Sequence, residues 1–277
     1  MVTVETTKDI LFVLQDCVSG KFIELVGKLL PLPPQIIKLK RPIHQLLEFC
    51  PTRTFPLLKS GDEFISGTLP IVNYLIKSAK DDSDGIILDN RKILLGRNLK
   101  EEARVDMWTH YIFTSILPIT SEIEAQLYGK KRFNSEVLEI AINDLLEVLK
   151  TVNEQLKLNA FLTSNNIQLS DLMLTSVLFH CYNDVLTKDK IEKIPNVIRV
   201  FKFVSHLKYF VDIFGEAIPC NKRKDPLPYV EQKEVEDNGE HKKGKKDKKN
   251  KKQENKEENK DEENKEEGKS KKKKKDK

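Results

Sequence analysis

The sequence predicts an α/β module of about 80 residues, then an all-helical bundle, then a long charged tail. Three observations carry that expectation. Met1 to Lys80 mixes short extended apolar runs with helical ones. Asn98 to Phe214 repeats apolar residues at three- and four-residue steps through several segments. From Lys222 the chain turns polar, and Val235 is the only aliphatic or aromatic residue after Val230.

The elements follow in order. Lys8–Val18 has helical spacing through Ile10, Val13, Leu14 and Cys17. For Phe22–Lys40, interrupted by Pro31, Pro33 and Pro34, periodicity assigns no element. Phe55-Pro56-Leu57-Leu58 reads as a buried strand, Ser60-Gly61-Asp62 as a turn and Glu63-Phe64-Ile65 as the returning strand, which makes a β-hairpin. Thr68 then caps a helix whose apolar face is Leu69, Val72, Leu75 and Ile76, with Pro70 in its first turn. In the second region, Lys100–Ile116 places Val105, Trp108 and Ile112 on one face. Ser135–Leu158 does the same with Leu138, Ile142, Leu145, Leu149 and Val152. Asp171–Leu186 is apolar around most of its circumference, as a central buried helix is. Pro195 opens one more helix through Val197, Ile198, Phe201 and Val204.

Composition narrows the function. Of 48 basic and 43 acidic residues, 19 lysines and 15 acids fall in Glu231–Lys277, leaving 29 basic and 28 acidic before it. The globular part is near neutral, which argues against a basic nucleic-acid-binding domain. No apolar run reaches the roughly 20 residues needed to span a bilayer, and no secretory signal is visible at the N-terminus. Cys17, Cys50, Cys181 and Cys220 are scattered, as reduced thiols of a cytoplasmic protein are. His44, His110, His180 and His206 share no metal-ligand spacing with a cysteine or carboxylate, so no metal site is expected. There is no G-x-G-x-x-G and no P-loop.

This order of elements resembles the glutathione-transferase fold, a thioredoxin-like half followed by an all-helical half. Phe55-Pro56 matches the family's cis-proline position. Thr68-Leu69-Pro70-Ile71-Val72-Asn73-Tyr74-Leu75 is similar to its S-x-A-I-x-x-Y-L helix. The run Phe161-Leu162 to Leu169-Ser170-Asp171-Leu172 resembles F-L-x-x-x-x-x-T-L-A-D-I, in which the aspartate caps the core helix. Here Gln168 replaces the usual threonine, which weakens the reciprocal half of the capping box, while Ile167 and Leu172 stand at the hydrophobic-staple positions. Within the family, Leu94-Leu95-Gly96, Leu127-Tyr128-Gly129-Lys130-Lys131 and Asn196-Val197-Ile198-Arg199-Val200-Phe201 resemble the elongation factor 1 gamma branch. Related domains occur in aminoacyl-tRNA synthetases and their tRNA-binding cofactors. The resemblance implies a thioredoxin-like half at 1–80, a linker at 81–97, a helical half at 98–221 and a disordered Lys/Glu-rich tail at 222–277. It also implies a shortened gamma subunit, or a relative that keeps only the first domain and the linker.

An active transferase activates the glutathione thiol with a Tyr, Ser or Cys just after the first strand. The resemblance assigns that stretch to Val4–Lys8, where Thr6 and Thr7 are weak candidates and no stronger group stands. Phe55, Pro56 and Thr68 are the remnant of the glutathione pocket, and Gly67 occupies the position of the usual carboxylate. The resemblance therefore implies a non-catalytic scaffold with no cofactor, glutathione being the one ligand the remnant would take. Implied partners are the exchange subunit of the elongation factor 1 complex or, as the alternative, aminoacyl-tRNA synthetases. A dimer through the transferase-like domain is a further implication, and an active glutathione transferase is the third reading.

The tail is a polyampholyte in blocks, too poor in apolar residues to offset its chain entropy. One Lys block holds Lys242, Lys243, Lys245, Lys246, Lys248, Lys249, Lys251 and Lys252; a second holds Lys271, Lys272, Lys273, Lys274 and Lys275. Such blocks contact RNA or ribosome phosphates with salt-sensitive, sequence-independent affinity. No aromatic residue is interleaved, so base stacking is not expected.

Overall fold

The computed structural model describes residues 9–50, 52–79 and 93–229. Most of the expected tail (from residue 230) and most of the expected linker lie outside the described residues. The chain opens with β1 (Ile10–Leu14), α1 (Val18–Lys28), β2 (Gln35–Leu39), the short α2 (His44–Leu47), β3 (Leu57–Ser60), β4 (Glu63–Ser66) and α3 (Thr68–Ser78). The sheet order is β2-β1-β3-β4. β1 runs parallel to β2, with Ile10 opposite Gln35, and antiparallel to β3, with Phe12 opposite Leu57. β3 and β4 form the predicted hairpin, Leu57 opposite Ser66 and Ser60 opposite Glu63.

One sequence expectation fails here. Ile10–Leu14 is a strand, not the start of a helix. Its residues are apolar at every position, so helical spacing arises by coincidence in a run too short for periodicity to decide. The burial alternates instead: Leu11 and Val13 are buried, while Ile10, Phe12 and Leu14 are half-buried. The stretch left unassigned resolves into α1 and β2, with Pro31, Pro33 and Pro34 confined to the connection between them.

The helical half comprises α4 (Leu99–Tyr111), a π turn (Ile112–Ile116), α5 (Leu117–Leu127), α6 (Ser135–Lys157), α7 (Leu169–Asp184), the short α8 (Lys188–Ile191), α9 (Pro195–Ser205) and α10 (Lys208–Phe214). The π turn immediately precedes Pro118 in the first turn of α5. A proline there lacks the N–H for the previous turn and its ring crowds the carbonyl four residues back, so the helix widens to pass it. Two helix starts, those of α4 and α6, are capped by the asparagine that precedes them. Asn98 Oδ1 accepts from the backbone N–H of Lys100 and Glu101, both at 3.1 Å, and Asn134 Oδ1 accepts from Glu136 at 2.9 Å. At the far end of α6, the Arg199 guanidinium donates to the carbonyls of Leu156, Asn159 and Ala160 at 2.8–3.0 Å, placing a cation at the helix C-terminus.

α7 is buried on all sides, as its unbroken apolar circumference predicts. α1 lies between the sheet half and the bundle, packed on α3, α7 and α10. Trp108 is core, 9 % exposed and edge-on to Tyr111 at 5.7 Å.

After α10 the chain does not leave the domain at residue 221. Ile218 N donates to Asn183 Oδ1 at 3.0 Å, Lys224 N to the Asp184 carbonyl at 2.9 Å and Leu227 N to the Leu127 carbonyl at 2.8 Å. Pro228 crosses Gly129 so closely that a Cβ there would meet the Pro228 carbonyl oxygen at 2.4 Å, and Gly129 has φ +66°. Both the close approach and the left-handed backbone require glycine at this position.

Candidate functional site

The turn between β1 and α1, the loop before β3 and the start of α3 are the places where the sheet half presents chemistry. Phe55-Pro56 is a cis peptide bond, at the position the sequence pointed to. The Pro56 carbonyl accepts from Gly67 N at 3.1 Å, which brings Phe55, Pro56 and the start of α3 together. Gly67, with φ +92°, is the N-cap of α3 and turns the chain out of β4, a backbone state that L side chains rarely adopt. Thr68 is therefore the first residue of the helix rather than its cap. It is buried, and no side-chain cap bond is made.

Beside this corner is a cluster that the sequence did not reveal. Cys50 Sγ lies 3.1 Å from Thr52 Oγ1, which in turn lies 2.6 Å from Ser66 Oγ and 3.0 Å from Thr54 Oγ1. Cys50 is buried, and burial opposes its ionisation. Hydrogen bonds from Ser66 and Thr52 outweigh that penalty and lower the thiol to about 7. The four residues are too dispersed in sequence, between 50 and 66, for any spacing rule to group them. The Ser66 hydroxyl, next to Gly67 in the chain, is spent on Thr52.

Thr6 and Thr7 lie outside the described residues, and they precede β1 in the chain. The stretch that follows the first strand is instead Gln15-Asp16-Cys17, with Asp16 at φ +59° and half-buried Cys17 as the N-cap of α1. The difference follows from β1: a helix at Lys8–Val18 puts the first strand earlier, whereas the strand at Ile10–Leu14 puts the following turn at Gln15–Cys17. The lysines of the tail also lie outside the described residues. Among the described residues, no group of three or more His, Cys, Asp or Glu side chains is placed to hold a metal ion. Among them too, no helix is long and apolar enough to cross a membrane.

Asp171 belongs to the other half. Its Oδ2 accepts from Gln168 N at 2.9 Å and its Oδ1 from Leu162 N at 3.0 Å. The Gln168 side chain faces the Asp171 backbone to complete a capping box, yet its Oε1 makes no hydrogen bond, so the aspartate carries the cap.

A family model described as glutathione S-transferase, C-terminal domain, matches residues 116–208. The chain superposes on a crystal structure of the GST-like domain of elongation factor 1-gamma from Saccharomyces cerevisiae with a TM-score of 0.66 and 17 % identity, covering 79 % of this chain and 99 % of that one. The fold is that of the glutathione transferases. A glutathione S-transferase-I bound with lactoylglutathione superposes with a TM-score of 0.63 and 16 % identity, over 75 % of this chain and 99 % of that one. In sequence, the chain resembles elongation factor 1-gamma of Artemia salina, 28 % identical over 155 residues, which is 55 % of this chain and 36 % of that protein. It also resembles elongation factor 1-gamma 1 of Oryza sativa subsp. japonica, 24 % identical over 189 residues, which is 68 % of this chain and 42 % of that protein. The chain thus spans less than half the length of these curated relatives.

Proposed function

We propose that this chain is a non-catalytic scaffold of the translation elongation factor 1 complex, binding its nucleotide-exchange subunit. The observation that carries the reading is the likeness to elongation factor 1-gamma, which in the rice relative extends over 68 % of the chain and so is not confined to the bundle. The corner at Gly67 agrees with it. No carboxylate stands there to hold an amino-acid end, and the Ser66 hydroxyl is already engaged. Self-association through the transferase-like domain belongs to this reading, and exposed Phe49, stacked on Phe64 at 5.3 Å, offers an apolar surface for it. The tail lysines add weak RNA contact.

The test is affinity capture of the full chain at low salt with mass spectrometry. Recovery of the exchange subunit is expected. Recovery of aminoacyl-tRNA synthetases without exchange-factor subunits would replace the proposal with the docking-cofactor reading. Capture with a chain lacking residues 231–277 should retain the protein partner and lose salt-sensitive RNA. A second reading, a working transferase, is favoured by one observation, the thiol of Cys17 at the start of α1. Turnover of glutathione with a reactive aryl halide that disappears in Cys17→Ala would establish it and overturn the non-catalytic part of the proposal.

A further inference from the structure

We propose that Ile218–Tyr229 is a proton-released clasp, held shut at neutral pH by Lys224 seated on the Tyr128–His180–Asp184 cluster. The segment is polar and has no regular secondary structure, yet it is fastened at several points across the C-terminal ends of α5 and α7. Its central fastener is Lys224. The ammonium lies 3.4 Å from Asp184 Oδ1 and 4.4 Å from the centroid of the Tyr128 ring. The same Asp184 takes the Tyr128 hydroxyl at 2.5 Å on its other oxygen, and that hydroxyl lies 3.4 Å from His180 Nδ1. One carboxylate, 7 % exposed, therefore carries both the clasp and the phenol.

The clasp responds to protons through His180. The charged and titratable groups acting on that ring are Lys21 from α1, Tyr128 and Lys130 after α5, Asp184 from its own helix and Lys224 from the clasp, and Glu124 of α5 shares Lys21, Lys130 and Asp184 with it. Burial first, and then Lys21, hold the imidazole below its ordinary range; Asp184 opposes them, while Lys130 and Lys224 add to them. Opening the clasp removes Lys224 and admits water, which returns the imidazole toward its ordinary value. The open state then binds the proton more tightly than the closed one. As pH falls through the ordinary histidine range, the closed state loses stability relative to the open state. Glu124 does not reverse this. Burial raises its carboxyl, and the charges acting on it are Lys130, Lys21 and Asp184, none of them on the clasp.

Hydrogen exchange of the full chain, corrected for the intrinsic pH dependence of exchange, tests the proposal. Peptides covering 221–229 should exchange faster at pH 5.5 than at pH 7.5, by up to about tenfold, the most that one open-state histidine supplies over that range. Peptides from α7 should keep their protection at both values. In His180→Gln the pH dependence should vanish. In Lys224→Met, a change at a partly exposed side chain, the same peptides should exchange faster already at pH 7.5. Equal corrected exchange at both pH values overturns the proposal. So does a pH response that survives in His180→Gln, a loss of α7 protection in step with the clasp, or unchanged exchange in Lys224→Met.

Discussion

Replacing Phe210 with alanine is expected to cost about 3–5 kcal/mol, a large share of the stability of an ordinary domain. Phe210 is fully buried. Its ring stacks on Phe214 at 4.5 Å and lies 5.9 Å from Phe179 on the central helix α7. α10, which carries both Phe210 and Phe214, packs on α1, so the cavity opens where the bundle meets the sheet half. The ring cluster is closed on the α1 side by Lys21, whose ammonium lies 5.8 Å from the Phe214 centroid. Urea unfolding reads the effect as a lower midpoint with little change in slope. The neighbouring ion pair supplies the control. Lys28 and Asp212 are 3.6 Å apart with side chains 41 % and 48 % exposed, so Asp212→Ala should cost less than about 1 kcal/mol. A Phe210→Ala cost no larger than that of Asp212→Ala would mean that α10 is not part of the core.

What could be read in the sequence divides by physical signal. The hairpin was legible because Ser60-Gly61-Asp62 separates two apolar runs, and the strands fall where those runs are. α6 and α9 were legible because each buries one face over eleven residues or more. α7 was legible for the opposite reason, since only a helix surrounded by others tolerates an apolar circumference. β1 was not legible. Five consecutive apolar residues satisfy a helical template and a strand template alike, and pairing with β2 and β3 decides between them. With Ile10–Leu14 read as helix, the stretch after the first strand falls at Val4–Lys8; with it as strand, that stretch is Gln15-Asp16-Cys17.

The candidate site was legible only where backbone chemistry announces itself. Pro56 and Gly67 are such positions, one cis and the other with positive φ. The hydroxyl cluster around Cys50 is assembled by the return of β4 alongside β3, which sets Ser66 against a loop fourteen residues earlier. The clasp was illegible because its hold is hydrogen bonding and ion pairing, with Lys224 on Asp184 and Arg223 on Glu139, neither of which leaves a hydrophobic pattern.

Asp171→Ala should cost about 2–4 kcal/mol at neutral pH. The mutation strands two buried backbone donors, Leu162 N and Gln168 N, at roughly 1–3 kcal/mol each, and the release of a buried carboxylate returns part of that. The same carboxylate gives a pH signature. Burial pushes Asp171 up to about 6 from an ordinary 3.8, although both N–H donors favour its ionised form. The folded protein thus holds this proton more tightly than the unfolded chain does. The group's contribution to stability is complete below about pH 4 and declines as pH rises through about 6, by roughly 3 kcal/mol in all. Other carboxylates titrate in the same window, so the informative quantity is the difference between the protein and its Asp171→Asn variant. Asparagine keeps one acceptor, and its side chain does not titrate. That difference should move in favour of aspartate as pH is lowered from 7 to 4, read by urea unfolding at each pH. A difference that stays flat would show that the N–H bonds of Leu162 and Gln168 compensate the burial fully. A difference that moves toward asparagine would show that they exceed it, and Asp171 would then be a stabilising anion at the head of α7.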